Sequence, residues 1–246
     1  MKFKFFNAAL IGLILSTSSL VSTAHAALIH SYDFSGDASD GTGSANGTVY
    51  GATLTTDRYG NANSAYAFDG NDAIVANFSS PATATFAMWA TWNGTQDDML
   101  FNSGPNRQGV DLFFWNNIIS WNTWDAGNNP FGNISSTSIN DGDFHHYAVV
   151  NDAVNSLTTL YIDGNLFGTA VYKYRNNSSF TIGAAQSNGD WGWSGKIDDV
   201  QVYNTALDAA GIQASMSITE VPEPSTLAIF ALGMIGLASR RFKKQS

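Results

Sequence analysis

Short stretches of alternating apolar and polar residues recur from residue 29 to residue 203, and helical periodicity is almost absent. Ile29 to Phe34, Thr85 to Thr91, Val110 to Phe114 and His146 to Val150 are rich in β-branched and aromatic side chains. Gly, Asn and Asp clusters bound them, which predicts strands separated by turns. Leu157 to Ile162, then Asp163-Gly164, then Asn165 to Phe167 predicts a hairpin. Asp and Gly both tolerate the positive φ that a two-residue type I′ turn requires. Lys196 to Tyr203 predicts a last long strand, after which Asp208 is placed to cap one short helix over Ala209 to Ser215. Strands of this length and spacing predict an all-β fold, a jelly-roll β-sandwich of two antiparallel sheets.

The two ends break this pattern. Lys2 and Lys4 precede an apolar stretch from Ala8 to Leu15, and Ala24-His25-Ala26 supplies an A-x-A cleavage site. Residues 1–26 are therefore expected to be a signal peptide, with the mature chain beginning at Ala27. At the other end, Val221-Pro222-Glu223-Pro224 is followed by an uncharged run from Ser225 to Ser239 and then by Arg240, Arg241, Lys243 and Lys244. That run spans 15 residues, short of the ~20 of a comfortable permanent anchor. Basic residues after it would hold that end in the cytoplasm. Residues 220–246 resemble the PEP-CTERM tail of Gram-negative bacteria. The resemblance implies a transmembrane helix at 225–239 as a transient anchor, cleavage by an exosortase-type peptidase, and delivery to the cell surface or extracellular matrix.

Between these addresses lie residues 27–219, enough for one substantial core. The chain has no cysteine, so no disulfide supports the exported fold and stability falls to packing or a bound metal. Residues 27–219 carry eighteen aspartates against five basic side chains, a net charge of −13. Nucleic acid and anionic lipid are disfavoured as partners of such a surface. Glu220 and Glu223 are the chain's only glutamates, so the folded segment contains none.

An ordered set of short motifs covers most of this segment: Tyr32-Asp33-Phe34, Phe68-Asp69-Gly70, Phe86-Ala87-Met88-Trp89, His145-His146-Tyr147, Leu160-Tyr161-Ile162-Asp163-Gly164 and Gly195 to Leu207. The set resembles the LamG-like jelly-roll domains of the concanavalin A-like lectin/glucanase superfamily. Phe144 stands where the family prefers Trp, and Gly211 where its final helix usually has Glu.

That superfamily includes endo-glucanases, whose acid and nucleophile are paired carboxylates about 5–5.5 Å apart. With no glutamate available, and with Asp97-Asp98 and Asp198-Asp199 expected to point to opposite faces of a strand, no catalytic residue is assigned. His145 and His146 are expected to be one solvated and one packed. The resemblance implies a structural calcium ion where the opening loop meets the last strand, with Asp40 and Asp198 as ligands and Asp37 as a third. Asp198 shares alternation with Val200 and Val202 and is expected to face the packed side. Seven tryptophans raise the prospect of sugar stacking. Trp121, Trp124 and Asp125 lie in an Asn-rich stretch and Trp191 in Asp190-Trp191-Gly192-Trp193, whereas Trp89 is expected in the core. The expected function is non-enzymatic binding of an extracellular glycan or exopolysaccharide. The alternatives are a structural or protein-adhesion matrix protein without a sugar site and, third, an atypical glycan hydrolase.

Overall fold

The computed structural model describes residues 26–93, 97–104, 110–115, 118–122, 131–133, 139, 141–171 and 178–217. The expected tail, with Val221, Pro222, Glu223, Pro224, Arg240, Arg241 and the 225–239 helix, lies outside these residues, as do Ala24, Trp124 and Asp125. Ala26 is exposed coil just ahead of the first strand. Among the described residues no helix is long and apolar enough to cross a membrane.

Two antiparallel sheets pack face to face. The first holds β1 (Leu28–Tyr32), β3 (Thr53–Thr55), β4 (Ala65–Asp69), β6 (Ala84–Ala90), β11 (His145–Asp152), β12 (Leu157–Ile162), β13 (Asn165–Val171) and β15 (Ser194–Tyr203). Its order is β13-β12-β11-β6-β15-β4-β3, and β1 also pairs with β15. The second holds β2 (Thr48–Tyr50), β5 (Ala73–Ala76), β7 (Asp98–Asn102), β8 (Asp111–Trp115), β9 (Ile118–Asn122), β10 (Phe131–Asn133) and β14 (Phe180–Ile182). Its order is β10-β9-β8-β7-β14-β5-β2. The non-consecutive neighbours make this the jelly roll that alternation and turn chemistry predict.

Alternation decides what faces inward. Phe86 and Met88 of β6, Tyr147 and Val149 of β11, and Phe114 of β8 enter one core. Phe86, Phe101 and Phe180 stack across the sheets with centroids 5.2–5.6 Å apart. Trp92 and Trp193 flank Phe114 at 5.1 and 5.0 Å. Both of these indole N–H groups have a partner: Trp92 donates to Asp98 at 2.5 Å and Trp193 to the Thr91 carbonyl at 3.0 Å. Such partners offset the desolvation that otherwise penalises a buried donor.

The hairpin turn has φ of 50° at Asp163 and 73° at Gly164, the double positive φ of a type I′ turn. Helix α1 (Ala209–Ser215) begins as its sequence predicts, with the Asp208 carboxylate accepting the Gly211 N–H at 2.8 Å. It lies on the outer face of the first sheet, where Leu207 and Ile212 cover Ala87, Ala148 and Val150. Beyond the area α1 covers, the rest of that face carries Trp89.

Candidate functional site

The site begins with an irregularity in β15. Asp198 pairs with Trp89 of β6, but the next registered pair is Gln201 with Ala87, so Asp199 and Val200 together oppose Met88. This is a β-bulge, and Asp199 takes φ 46° to make it. The bulge resets the alternation. Ile197, Val200 and Val202 all enter the core, while Asp198 turns to the outer face with Trp89. Two expectations are corrected. Asp198 does not share a face with Val200 and Val202, and Asp198 and Asp199 do not diverge. Both carboxylates reach one guanidinium: Nη1 of Arg58 lies 2.6 Å from Asp198 Oδ2 and 2.5 Å from Asp199 Oδ2.

Arg58 arrives on a short turn between β3 and β4. The Asp57 carboxylate shapes it, accepting the Tyr59 N–H at 2.8 Å and the Asn61 N–H at 2.7 Å. The guanidinium is then layered between two rings, 4.4 Å from the Tyr59 centroid and 4.8 Å from that of Trp89. Its side chain is only 7% exposed, whereas Tyr59 is 61% exposed and presents its ring to solvent. Two carboxylates on one cation leave excess negative charge in a desolvated setting. Burial pushes Asp198 up to about 7, with Asp199 reinforcing the shift and Arg58 opposing it. Burial raises Asp199 as well, again against Arg58.

Two clefts meet at Asp57 and Tyr59. An acidic one, of about 470 Å³, is lined by Asp33, Asp57, Asp198 and Asp199. An aromatic one, of about 680 Å³, is lined by Arg58, Tyr59, Trp89, Phe144, Asp143 and Lys196. Trp89, expected in the core, thus faces outward. Its strand position is regular, but periodicity cannot say which face a half-buried sheet covers. Behind it His146 is 1% exposed, its ring 5.2 Å from the indole, and burial lowers it to about 4. His145 is only partly buried, with Asp163 at 2.8 Å and Asp141 at 3.2 Å.

A third cleft, of about 550 Å³, is lined in part by Asn71, Asp97, Asp98, Asn188, Asp190 and Trp191. Trp191 adopts φ 57°, its carbonyl accepts the Met99 N–H at 2.9 Å, and its ring packs on Phe113 at 4.7 Å. Burial pushes Asp98 up to about 6, the Trp92 hydrogen bond opposing the shift.

The remaining expected residues are placed as follows. Trp121 is 3% exposed, because Ile119 and Trp121 alternate into the core from β9, and its ring packs on Phe167 at 5.9 Å. A buried ring cannot stack on a sugar, so that assignment is corrected; Trp124 and Asp125 lie outside the described residues. Asp40 is buried at the opening loop, and its oxygens are already engaged. They accept the Ser31 N–H at 3.1 Å and the Thr42 N–H and hydroxyl at 3.2 and 3.1 Å, with His30 Nδ1 at 2.7 Å. Burial alone would raise this carboxyl, but His30 and the backbone donors hold it below the ordinary range. Asp37 accepts the Ser39 N–H at 2.8 Å, and its hydrogen bonds to Ser39 lower it. Asp40, Asp198 and Asp37 do not form one ligand set, and among the described residues no three His, Cys, Asp or Glu side chains group to hold a metal ion.

Sequence reading missed Arg58 and Tyr59. Arg58 is one of only five basic residues in a segment with eighteen aspartates, and a cation so outnumbered in a Gly/Asn-rich turn was the available signal.

A family model for the concanavalin A-like lectin/glucanases superfamily, of the laminin G type, matches residues 61–213. The PEP-CTERM protein-sorting motif matches residues 220–244. A comparison with curated proteins gave no match. Among solved structures, the chain is similar to the binding domain of Paraclostridial Mosquitocidal Protein 1, with TM-score 0.61 and 19% identity over 76% of this chain and 51% of that one. It is similar to domain 4 of AbnA, a GH43 extracellular arabinanase from Geobacillus stearothermophilus, in complex with arabinotriose. There the TM-score is 0.59 and the identity 19%, over 77% of this chain and 98% of that one. The botulinum neurotoxin serotype D binding domain gives TM-score 0.58 and 17% identity, over 76% and 50%. The chain spans about half the length of the toxin domains it matches, and at these identities the likeness is one of fold. The chain belongs to the concanavalin A-like lectin/glucanases superfamily and carries a PEP-CTERM sorting motif, which implies export and surface sorting.

Proposed function

We propose that this superfamily member is an exported module that binds carbohydrate without cleaving it, and that it works in an extracellular polysaccharide matrix after exosortase processing. The observation that carries the reading is the layered Tyr59–Arg58–Trp89 arrangement at the 680 Å³ cleft. An exposed tyrosine ring held rigid by a buried guanidinium presents apolar area at little entropic cost, which suits stacking on a pyranose face. Asn93, Asp57 and Asp143 stand beside it as partners for hydroxyls. One of the fold neighbours was solved with arabinotriose, which is consistent with a glycan-binding use of the architecture.

Non-enzymatic action is supported by the occupation of the Asp198–Asp199 carboxylate pair. Asp198 and Asp199 both contact one guanidinium nitrogen of Arg58, which engages the two carboxylates as an ion pair rather than leaving them free to act as acid and nucleophile. A structural calcium ion belongs to the proposal only in a weak form. The expected Asp40-centred set does not fit one, since its oxygens are satisfied by protein donors, while the acidic cleft of Asp33 and Asp57 remains open to a cation.

Screening the full chain against a panel of immobilised neutral, acetylated and acidic oligosaccharides tests the reading, with release of reducing ends from any glycan it binds measured alongside. Saturable binding without release is expected. No saturable binding to any glycan would favour the structural or adhesion alternative, and time-dependent release would favour hydrolysis.

A further inference from the structure

The chain leaves the folded module at the lip of the 680 Å³ cleft. Met216 and Ser217 follow α1, and both line the cleft together with Tyr59, Trp89 and Phe144. The sorting motif begins at residue 220, only two residues beyond Ile218 and Thr219's predecessor Ser217. Five extended residues reach at most about 17 Å, so Pro222 can cross a cleft of this volume from Ser217.

The cleft presents accessible groups. Tyr59 is 61% exposed, and Trp89, Phe144 and Met216 are each partly exposed. Proline rings pack on aromatic walls of this kind, and proline-rich segments have little conformational entropy to lose on docking. Lys196 lines the same cleft. Its Nζ donates to the Thr56 hydroxyl at 3.2 Å, and it enters no ion pair among the described residues. An unpaired lysine stands out in a segment with eighteen aspartates against five basic side chains. Residues 220–224 read Glu-Val-Pro-Glu-Pro and hold both glutamates of the chain. On a polyproline II turn of three residues, Glu220 and Glu223 share one side and Val221 and Pro224 another. The first side suits the lysine and the second the rings. Asp57 and Asp143 line the cleft too, which confines the favourable charge contact to the Lys196 rim.

We propose that the cleft holds the chain's own residues 220–224 until the tail is cut, with the prolines against Tyr59 and Phe144 and a glutamate on Lys196. A tether this short supplies an effective concentration on the order of millimolar, so weak contacts suffice to fill the cleft. The docking stands on the exit point and the chemistry of the cleft, and only its consequence rests on the glycan-binding reading. Tail and sugar compete for Tyr59, which weakens glycan binding by the full chain without abolishing it. Exosortase processing then frees the site.

The test needs no glycan. The full chain in mild detergent, mixed in equal parts from ordinary and isotope-labelled protein, is treated with a zero-length carbodiimide, and lysine–glutamate links are mapped by mass spectrometry. The expected link joins Lys196 to Glu220 or Glu223 within one chain, in a yield well above that of any link to Lys173. Replacing both prolines, Pro222→Gly with Pro224→Gly, is expected to bring the Lys196 yield down to the Lys173 level. Tyr59→Ser is expected to do the same, but the proline variant decides, since it lies outside the folded module. A Lys196 yield unaltered by the proline variant would show a tail that is merely tethered and overturn the proposal, as would a yield no greater than that of Lys173. Links between labelled and unlabelled chains would overturn it in favour of a second copy as the occupant. Failure of the glycan reading shows separately, in the oligosaccharide panel.

Discussion

The cleft around Arg58 and the cleft around Trp191 hold the same unusual group, a buried aspartate with a raised pKa, and they treat it differently. Asp198, near 7, faces a guanidinium that it shares with Asp199. Asp98, near 6, faces only the neutral indole N–H of Trp92. At the first cleft a cation offsets the buried charge, and that cation lies against the exposed Tyr59 ring. At the second, burial favours the neutral form of the carboxyl, and Trp191 rests on Phe113 with no basic side chain lining the cleft among the described residues. The difference separates a cleft built around a buried cation from one lined by aspartates and amides. Of the two, the Arg58 cleft is the one with a largely exposed aromatic ring, that of Tyr59, beside it.

Breaking the first arrangement gives the largest effect. Arg58→Leu strands two buried carboxylates and is expected to cost about 3–5 kcal/mol at pH 8. The loss should shrink at pH 5, where Asp198, whose folded pKa is raised, takes up a proton. Denaturant unfolding at the two pH values checks this, and an equal loss at both would show that the pair is not what Arg58 holds. Asp98→Asn probes the contrasting site. A carboxyl whose folded pKa is raised stabilises the fold fully below its unfolded value of 3.8 and loses that contribution as pH rises to about 6. The amide keeps an acceptor for Trp92 and removes the ionisation. It is expected to raise Tm at pH 8 by a few degrees and to change little at pH 4, as differential scanning calorimetry would register.

His146 sharpens the comparison from the other side. Its folded pKa is depressed to about 4, so its contribution is complete above the ordinary value of 6.5 and is lost as pH falls toward 4. His146→Gln should flatten the acid limb of the Tm–pH curve without altering the region above pH 7. A curve of unchanged slope would place the acid sensitivity elsewhere. Calcium gives the smallest effect. With a Kd near 10⁻³ M, matching calcium adds roughly 0.4 kcal/mol, or about 1–2 °C in Tm over EDTA. A rise of many degrees would require a complete ligand set that the described residues do not form.

How much of this was legible follows from which forces are local. The Asp163-Gly164 turn and the Asp208 cap come from local backbone preference, and they stand as the sequence reads. The bulge at Asp199 was not legible, since an Asp-Asp pair in a strand looks regular until a tertiary partner such as Arg58 draws both carboxylates to one side. The tryptophans were misassigned in both directions for one reason. Trp121 sits in an Asn-rich stretch but alternates inward with Ile119, while Trp89 sits in a regular strand whose outer face α1 leaves partly open. Local composition reports neither.

The central claim is that Tyr59, held by Arg58, is the sugar platform. Calorimetric titration of Tyr59→Ala and Trp191→Ala with whichever oligosaccharide the full chain binds tests it directly. Loss of about tenfold or more in affinity for Tyr59→Ala at the parent Tm, with the affinity of folded Trp191→Ala unchanged, is the predicted result. Undiminished binding by Tyr59→Ala would contradict it, and loss on Trp191→Ala alone would move the site to the opposite sheet.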